Sequence, residues 1–140
     1  MLTVYNDELC DAYLRDGNKV SLIEFKDVLL NAIIKNSGER ETLFTEFDKK
    51  FVSNQKNKAK GITQLINAVE DIDSNSVSFD SDDKGNLFYP IIVYTDFAFG
   101  ADGINKIYKE KFKELLSKIE VRNIHVKDIT FISLSYFEIH

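Results

Sequence analysis

The chain has 140 residues, of which 44% are hydrophobic and 29% are charged, a composition typical of one globular domain over residues 1–140. No apolar run is long enough to cross a bilayer and no secretion signal is recognisable, which argues against a membrane protein and favours a cytoplasmic one. The single cysteine, Cys10, excludes an internal disulfide, fits a reducing compartment and is expected to be a small core residue rather than a nucleophile. The net charge of −5 excludes a surface coated with basic residues but not one local basic groove.

A β-hairpin is predicted close to the N-terminus. Residues 12–15 and 20–25 form its arms, and Asp16-Gly17-Asn18 forms the turn. Asp-Gly between two apolar runs is a strong short-range hairpin signal, because glycine tolerates the backbone conformation that a tight turn requires.

Charged side chains are predicted to converge at the open end of this hairpin. Side chains alternate between faces along a strand, so Leu22, Glu24 and Lys26 share one face of the second arm. Asp11 precedes the first arm and is predicted to lie opposite the same end. Two carboxylates and one ammonium group would then meet at one point, whereas the simpler interpretation is a surface ion pair between Glu24 and Lys26.

The segments after the hairpin predict an α/β protein. Residues 41–51, 61–72 and 104–119 have the apolar spacing of amphipathic helices. Residues 87–95 form a nearly continuous apolar run that is typical of a buried strand, and residues 121–140 contain one or two further strands. The expected architecture is a mixed sheet of about four or five strands flanked by helices.

One basic cluster stands out in this acidic chain. No acidic residue occurs in the stretch 49–60, which indicates either a solvated loop or a segment that contacts nucleic-acid phosphates. Its lysines are Lys49, Lys50, Lys56, Lys58 and Lys60, of which the last three are the candidate phosphate contacts.

Asp11 followed by Glu24-x-Lys26 resembles the PD-(D/E)xK motif of the restriction-endonuclease-like nucleases. The run ELCDAYLRDGNKVSLIEFKD, residues 8–27, is similar to the block of that superfamily in which a strand, a turn and a second strand end in E-x-K. The predicted order of hairpin, helix, apolar strand, helix and strand also fits the superfamily, so the resemblance covers most of the chain.

The resemblance implies a metal-dependent nuclease that hydrolyses phosphodiester bonds, with DNA as the expected partner. Asp11 and Glu24 would bind Mg²⁺ or Mn²⁺, and Lys26 would orient or help to deprotonate the attacking water or stabilise the developing negative charge. A Gln or Lys on the following helix often faces the metal in this superfamily. Gln64 is the better candidate here and Lys60 the weaker one, whereas the simpler interpretation of Gln64 is a surface helix residue.

The sequence departs from this family at its N-terminus. The helix that normally precedes the hairpin is not recognisable in residues 1–7, which implies a fragment of a larger protein, or a core completed by a second copy or an additional domain.

Two alternatives to a nuclease remain open at the level of sequence. The first is a catalytically inactive module with a nuclease fold that binds nucleic acid or protein. The second is a protein–protein module, such as an antitoxin or an immunity protein, which fits the acidic charge balance.

Overall fold

In a computed structural model, the described part of the chain comprises residues 2–3, 10–26, 48–49, 52–53, 60–74, 87–94 and 104–133. Six strands of one sheet and two long helices make up most of these ranges. The strands are β1 (Leu2–Thr3), β2 (Ala12–Asp16), β3 (Lys19–Lys26), β4 (Leu87–Tyr94), β5 (His125–Val126) and β6 (Thr130–Ser133), and the helices are α1 (Gly61–Asp73) and α2 (Ile104–Ser117).

The predicted hairpin is formed by β2 and β3, which pair antiparallel from Asp16 and Lys19 outward to Ala12 and Ile23. Its turn is one residue shorter than expected, because Asp16 belongs to the strand and only Gly17 and Asn18 connect the arms. Gly17 has a φ of 62°, which fits the two-residue turns whose twist matches that of paired strands.

The sheet is mixed. Its order is β1-β2-β3-β4-β5, with antiparallel pairs on the β1–β3 side and parallel pairs beyond β3. A parallel pair needs a crossover, and α1 lies within the connection between β3 and β4. The prediction of an α/β protein with a mixed sheet is therefore confirmed.

β5 and β6 together occupy one strand position beside β4. β5 pairs with Leu87 and Phe88, whereas β6 pairs with β4 from Ile91 onward. Pro90 lies at the interruption and has no N–H to donate to a neighbouring strand. The six strands therefore fill five positions, and the second predicted strand of the C-terminal region is described only over residues 130–133.

The main core lies between the sheet and the two helices. α1 contacts β3, β4 and α2, and its apolar stripe faces the sheet as the sequence spacing predicts. Burying such a side chain completely stabilises the fold by about 1.5–3 kcal/mol. The largest fully buried side chains are Tyr108, Phe88, Phe112, Leu22, Ile62, Leu65, Ile92, Ile129 and Val20.

The opposite face of the sheet carries a smaller apolar cluster. Ala12, Ile23 and Val93 are buried there, and Leu14 and Ile91 pack against them while half-buried. β4 therefore buries both of its faces toward its C-terminal end, as its continuous apolar sequence predicts. No helix in the described ranges combines the length and the apolar character that crossing a bilayer requires.

Asp73 is a structural residue that the sequence analysis did not find, since the predicted helix ended at residue 72. It is the last residue of α1 and only 7% exposed. Its carboxylate accepts the backbone N–H groups of Arg122 at 3.0 Å and Asn123 at 2.6 Å, and its carbonyl accepts the Asn123 side-chain amide. These bonds tie the end of α1 to the segment between α2 and β5.

Replacing Asp73 by alanine is expected to lower the free energy of unfolding by about 3 kcal/mol, because two part-buried backbone N–H groups lose a charged acceptor. Chemical denaturation measures the change. The matched control is Glu70→Ala, which removes an exposed carboxylate from the same helix and is expected to change stability by less than about 0.5 kcal/mol. Equal losses in the two variants would contradict a structural role for the Asp73 carboxylate.

Candidate active site

The alternation of β3 carries two charged side chains to the helix-covered face of the sheet. Glu24 and Lys26 follow Leu22 on this face, at the C-terminal end of the strand. Glu24 is only 2% exposed, whereas Phe25 between them is 52% exposed. A carboxyl group so deeply buried needs polar partners, because transfer of a charge out of water is costly.

Asp11 supplies the second carboxylate. It lies directly before β2, and continuing the register of Ala12 with Ile23 places Asp11 opposite Glu24. Its Oδ2 accepts the backbone N–H of Phe25 at 2.9 Å. The sequence prediction that Asp11, Glu24 and Lys26 converge at this end of the hairpin therefore agrees with the structure.

The environment of Glu24, which includes Asp11, raises its pKa. Burial, followed by the hydrogen bond and the negative charge of Asp11, raises the pKa of Glu24 from 4.5 to about 8. The Lys26 ammonium opposes this effect but does not overcome it. Without a bound cation, Glu24 therefore carries a proton at neutral pH.

Lys26 is held from two sides. Its Nζ lies 4.0 Å from Glu24 Oε2 and donates a hydrogen bond of 2.7 Å to Gln64 Oε1. Gln64 projects from the first turn of α1, where its Oε1 also accepts the backbone N–H of Gly61 at 2.7 Å. Gln64 thus lies beside Lys26, and its side-chain oxygen contacts both Lys26 and Gly61.

The donor set fits a hard divalent cation. Mg²⁺ typically binds through one or two carboxylates and completes its shell with water and substrate phosphate. Asp11 and Glu24 offer that pair, and a cation between them would replace the proton on Glu24. Within the described ranges no three His, Cys, Asp or Glu side chains are grouped closely enough to hold a metal. Among the described residues, the fit is therefore to a hydrated cation held by two carboxylates.

The predicted basic cluster is described only in part. Lys56 and Lys58 lie outside the described residues, as do Lys50 and most of the predicted helix over residues 41–51. Lys60 is the residue directly before α1, half-buried, and its backbone N–H donates to the Val52 carbonyl at 2.9 Å. Lys60 therefore stands next to the helix turn that carries Gln64.

Cys10 lies beside the site without taking part in it. It is 3% exposed, and its Sγ donates to the Ala12 carbonyl at 3.1 Å. Burial, with the nearby Glu24 charge, raises the pKa of the thiol from 9.0 to about 12. The thiol therefore stays protonated at neutral pH, which agrees with the predicted core role.

Gly61 is the site residue that the sequence analysis missed. It begins α1 with a φ of 42°, in the left-handed region that favours glycine, and it is buried. The sequence feature that could have identified it is a glycine at the start of a run with helical spacing.

The arrangement combines a cation-binding pair of carboxylates with a positioned ammonium group at the C-terminal ends of parallel strands β3 and β4, where α/β proteins often bind ligands. It can hold a hydrated divalent ion and offer positive charge to an anion bound there. No protein-family model matches the chain, nor does any curated protein or solved structure.

Proposed function

We propose that the protein is a metal-dependent nuclease that hydrolyses phosphodiester bonds in DNA, with Mg²⁺ or Mn²⁺ as its cofactor. The observation that carries the proposal is the meeting of Asp11, Glu24 and Lys26 at one end of the β2–β3 hairpin. A surface ion pair between Glu24 and Lys26 would explain neither the burial of Glu24 nor the presence of a second carboxyl group, that of Asp11, beside it.

The architecture supports a restriction-endonuclease-like fold in a single domain. The hairpin is followed by α1, the parallel strand β4, α2 and a further parallel strand position filled by β5 and β6. This is the element order in which that superfamily presents its PD-(D/E)xK residues. Of the residues before the hairpin, where the sequence lacks the helix typical of that superfamily, Leu2–Thr3 form strand β1 beside β2, and residues 4–9 lie outside the described part of the chain.

Each residue of the site has a role in this chemistry. Asp11 and Glu24 would hold the cation, and a bound Mg²⁺ would neutralise phosphate charge and generate a nucleophile from water. Lys26 places its ammonium group 4.0 Å from Glu24 Oε2, where it would orient the attacking water or stabilise negative charge as it develops. Gln64 accepts one Lys26 hydrogen bond and thereby limits where the ammonium lies.

Lysines that closely precede α1 in sequence would supply affinity for the nucleic-acid backbone. Lys60 precedes the helix that carries Gln64, and Lys56 and Lys58 precede it in sequence. Phosphate contacts of this kind position a substrate without reading its sequence. Binding through them is expected to weaken as salt increases, because counterions are released from the nucleic acid.

The test is an assay of the purified protein on single- and double-stranded DNA and RNA, with Mg²⁺, with Mn²⁺ and with a chelator. Cleavage of DNA is expected with either metal, none with the chelator, and recovery when metal is added in excess. Cleavage that persists in the chelator, or no cleavage of any substrate, would contradict the proposal.

One observation favours a second candidate, an inactive nuclease-fold module that binds nucleic acid or protein. Within the described ranges, the site offers two carboxylates but no third His, Cys, Asp or Glu side chain for a metal. Such a module would bind DNA or a protein partner without metal-dependent cleavage, so the same assay combined with a DNA-binding measurement separates the two candidates.

A further inference from the structure

We infer that Gly61 is a positioning residue which, through Gln64, holds the Lys26 ammonium at a defined point beside Glu24. The catalytic consequence of this inference rests on the proposed nuclease function. The contacts that carry it involve no metal and no substrate, so they can be tested in the protein alone.

The side-chain oxygen of Gln64 links Gly61 at the start of α1 to Lys26 at the end of β3. Gln64 Oε1 accepts the Gly61 N–H and the Lys26 Nζ, each at 2.7 Å. A carbonyl oxygen has two lone pairs, so both donors can be satisfied at once. The position of the Lys26 ammonium is therefore tied to the backbone at the start of α1.

The backbone of Gly61 explains why Gln64 is held in this position. Lys60 is extended, with φ −135° and ψ 151°, and its side chain makes no capping hydrogen bond. The N–H of the buried Gly61 would lack an intrahelical partner at this position, and the Gln64 side chain satisfies it. The left-handed φ of 42° at Gly61 is strained for any residue with a Cβ, so a side chain there would rotate the N–H that anchors Gln64.

Two distances from its Nζ define the position of the Lys26 ammonium. Its Nζ is 2.7 Å from a neutral amide oxygen but 4.0 Å from the carboxylate of Glu24. A lysine ammonium is a compact charge on a flexible stem, so its bond to the amide oxygen restricts where it can lie. Gln64 therefore holds Lys26 beside the two carboxyl groups at a defined distance from Glu24.

The experiment observes the Lys26 ammonium by nuclear magnetic resonance of ¹⁵N-labelled, metal-free protein, with Lys26→Arg used to identify its signal. A slowly exchanging Nζ signal is expected in the natural protein and is expected to be lost in Gly61→Ala and in Gln64→Ala. Gln64→Glu keeps an oxygen acceptor and is expected to restore the signal.

Gly17→Ala is the matched control. Gly17 also has a positive φ, of 62°, and an added Cβ would meet nothing within 4 Å, so the substitution strains the hairpin turn without touching Gln64. The Lys26 signal is expected to survive in this variant, even if its thermal midpoint falls as far as that of Gly61→Ala.

Three results would overturn the inference: no slow Lys26 signal in the natural protein, an unchanged signal in Gly61→Ala and Gln64→Ala, or an equal loss in Gly17→Ala. If Gly61→Ala does not fold, Gln64→Ala and Gln64→Glu decide the question.

Kinetics separates this inference from the proposed function. Loss of an outer partner of a metal site typically costs about 10–100-fold in activity, and we expect this fall in kcat, with little change in KM, for Gly61→Ala and Gln64→Ala. If the Lys26 signals behave as expected but neither the natural protein nor any variant cleaves nucleic acid, the positioning role of Gly61 and Gln64 is supported and the nuclease proposal fails. If the natural protein cleaves and kcat is equal in all variants, the nuclease proposal stands and the positioning role fails.

Discussion

Glu24→Gln and Asp11→Asn are each expected to reduce metal-dependent cleavage by at least about a thousandfold, because charge stabilisation by a metal is worth several kcal/mol. Each substitution keeps the size of the side chain but removes one of the two negative charges that would hold the cation. Glu24 is the stronger test, since it is buried and its amide variant preserves the packing of β3. Single-turnover cleavage of the best DNA substrate measures the loss.

Two matched controls exclude a general effect of removing carboxylates. Asp16→Asn changes an exposed carboxylate at the turn end of the same hairpin, and Glu114→Gln changes an exposed one on α2. Both are expected to cleave at the natural rate. Full activity in Glu24→Gln and Asp11→Asn would place the catalytic metal elsewhere or reveal a contaminating nuclease, and equal losses in all four variants would show a general effect of removing carboxylates.

The stability of the metal-free protein is expected to fall as pH rises, because of Glu24. The pKa of Glu24 is raised from 4.5 to about 8 in the folded protein, chiefly by burial. Between these values the folded state retains a proton that the unfolded state releases, so the stability contributed by protonated Glu24 is complete below about pH 4.5 and lost as pH rises through 8. The metal-free protein is expected to lose several kcal/mol of unfolding free energy over this range.

Denaturation at a series of pH values checks this expectation in the natural protein and in Glu24→Gln. The variant cannot ionise at this position, so its stability is expected to lack the decline between pH 4.5 and 8 and to exceed that of the natural protein at pH 8. Added Mg²⁺ is expected to stabilise the natural protein more at pH 8 than at pH 5, because it binds the ionised carboxylates. Parallel pH curves for the two proteins would show that Glu24 titrates normally.

The hairpin and its charged residues were predictable because their signals are local. Gly17 permits the tight turn, and the period of two along a strand decides that Glu24 and Lys26 share a face. Once the turn is located, the antiparallel register brings Asp11 opposite Glu24 without any information from the rest of the chain. The prediction was wrong only for the turn length, since Asp16 pairs with Lys19 instead of joining the turn.

The features that the sequence analysis did not find depend on contacts between segments that are distant in the chain. Asp73 is polar and follows a helical run, so its sequence resembles a loop, yet it binds backbone groups about fifty positions later in the chain. The link from Gly61 through Gln64 to Lys26 likewise requires the docking of α1 on β3. Helical spacing predicts the apolar face of α1, but it does not reveal which donor Gln64 meets.

Calorimetric titration of the natural protein and Glu24→Ala with Mn²⁺ and Mg²⁺ tests the central claim most directly, since that claim is a cation site built by Asp11 and Glu24. The titration needs no knowledge of the substrate. Binding by the natural protein that disappears in Glu24→Ala is the predicted result. Equal binding by both proteins, or none by the natural protein, would contradict a metal site at this hairpin.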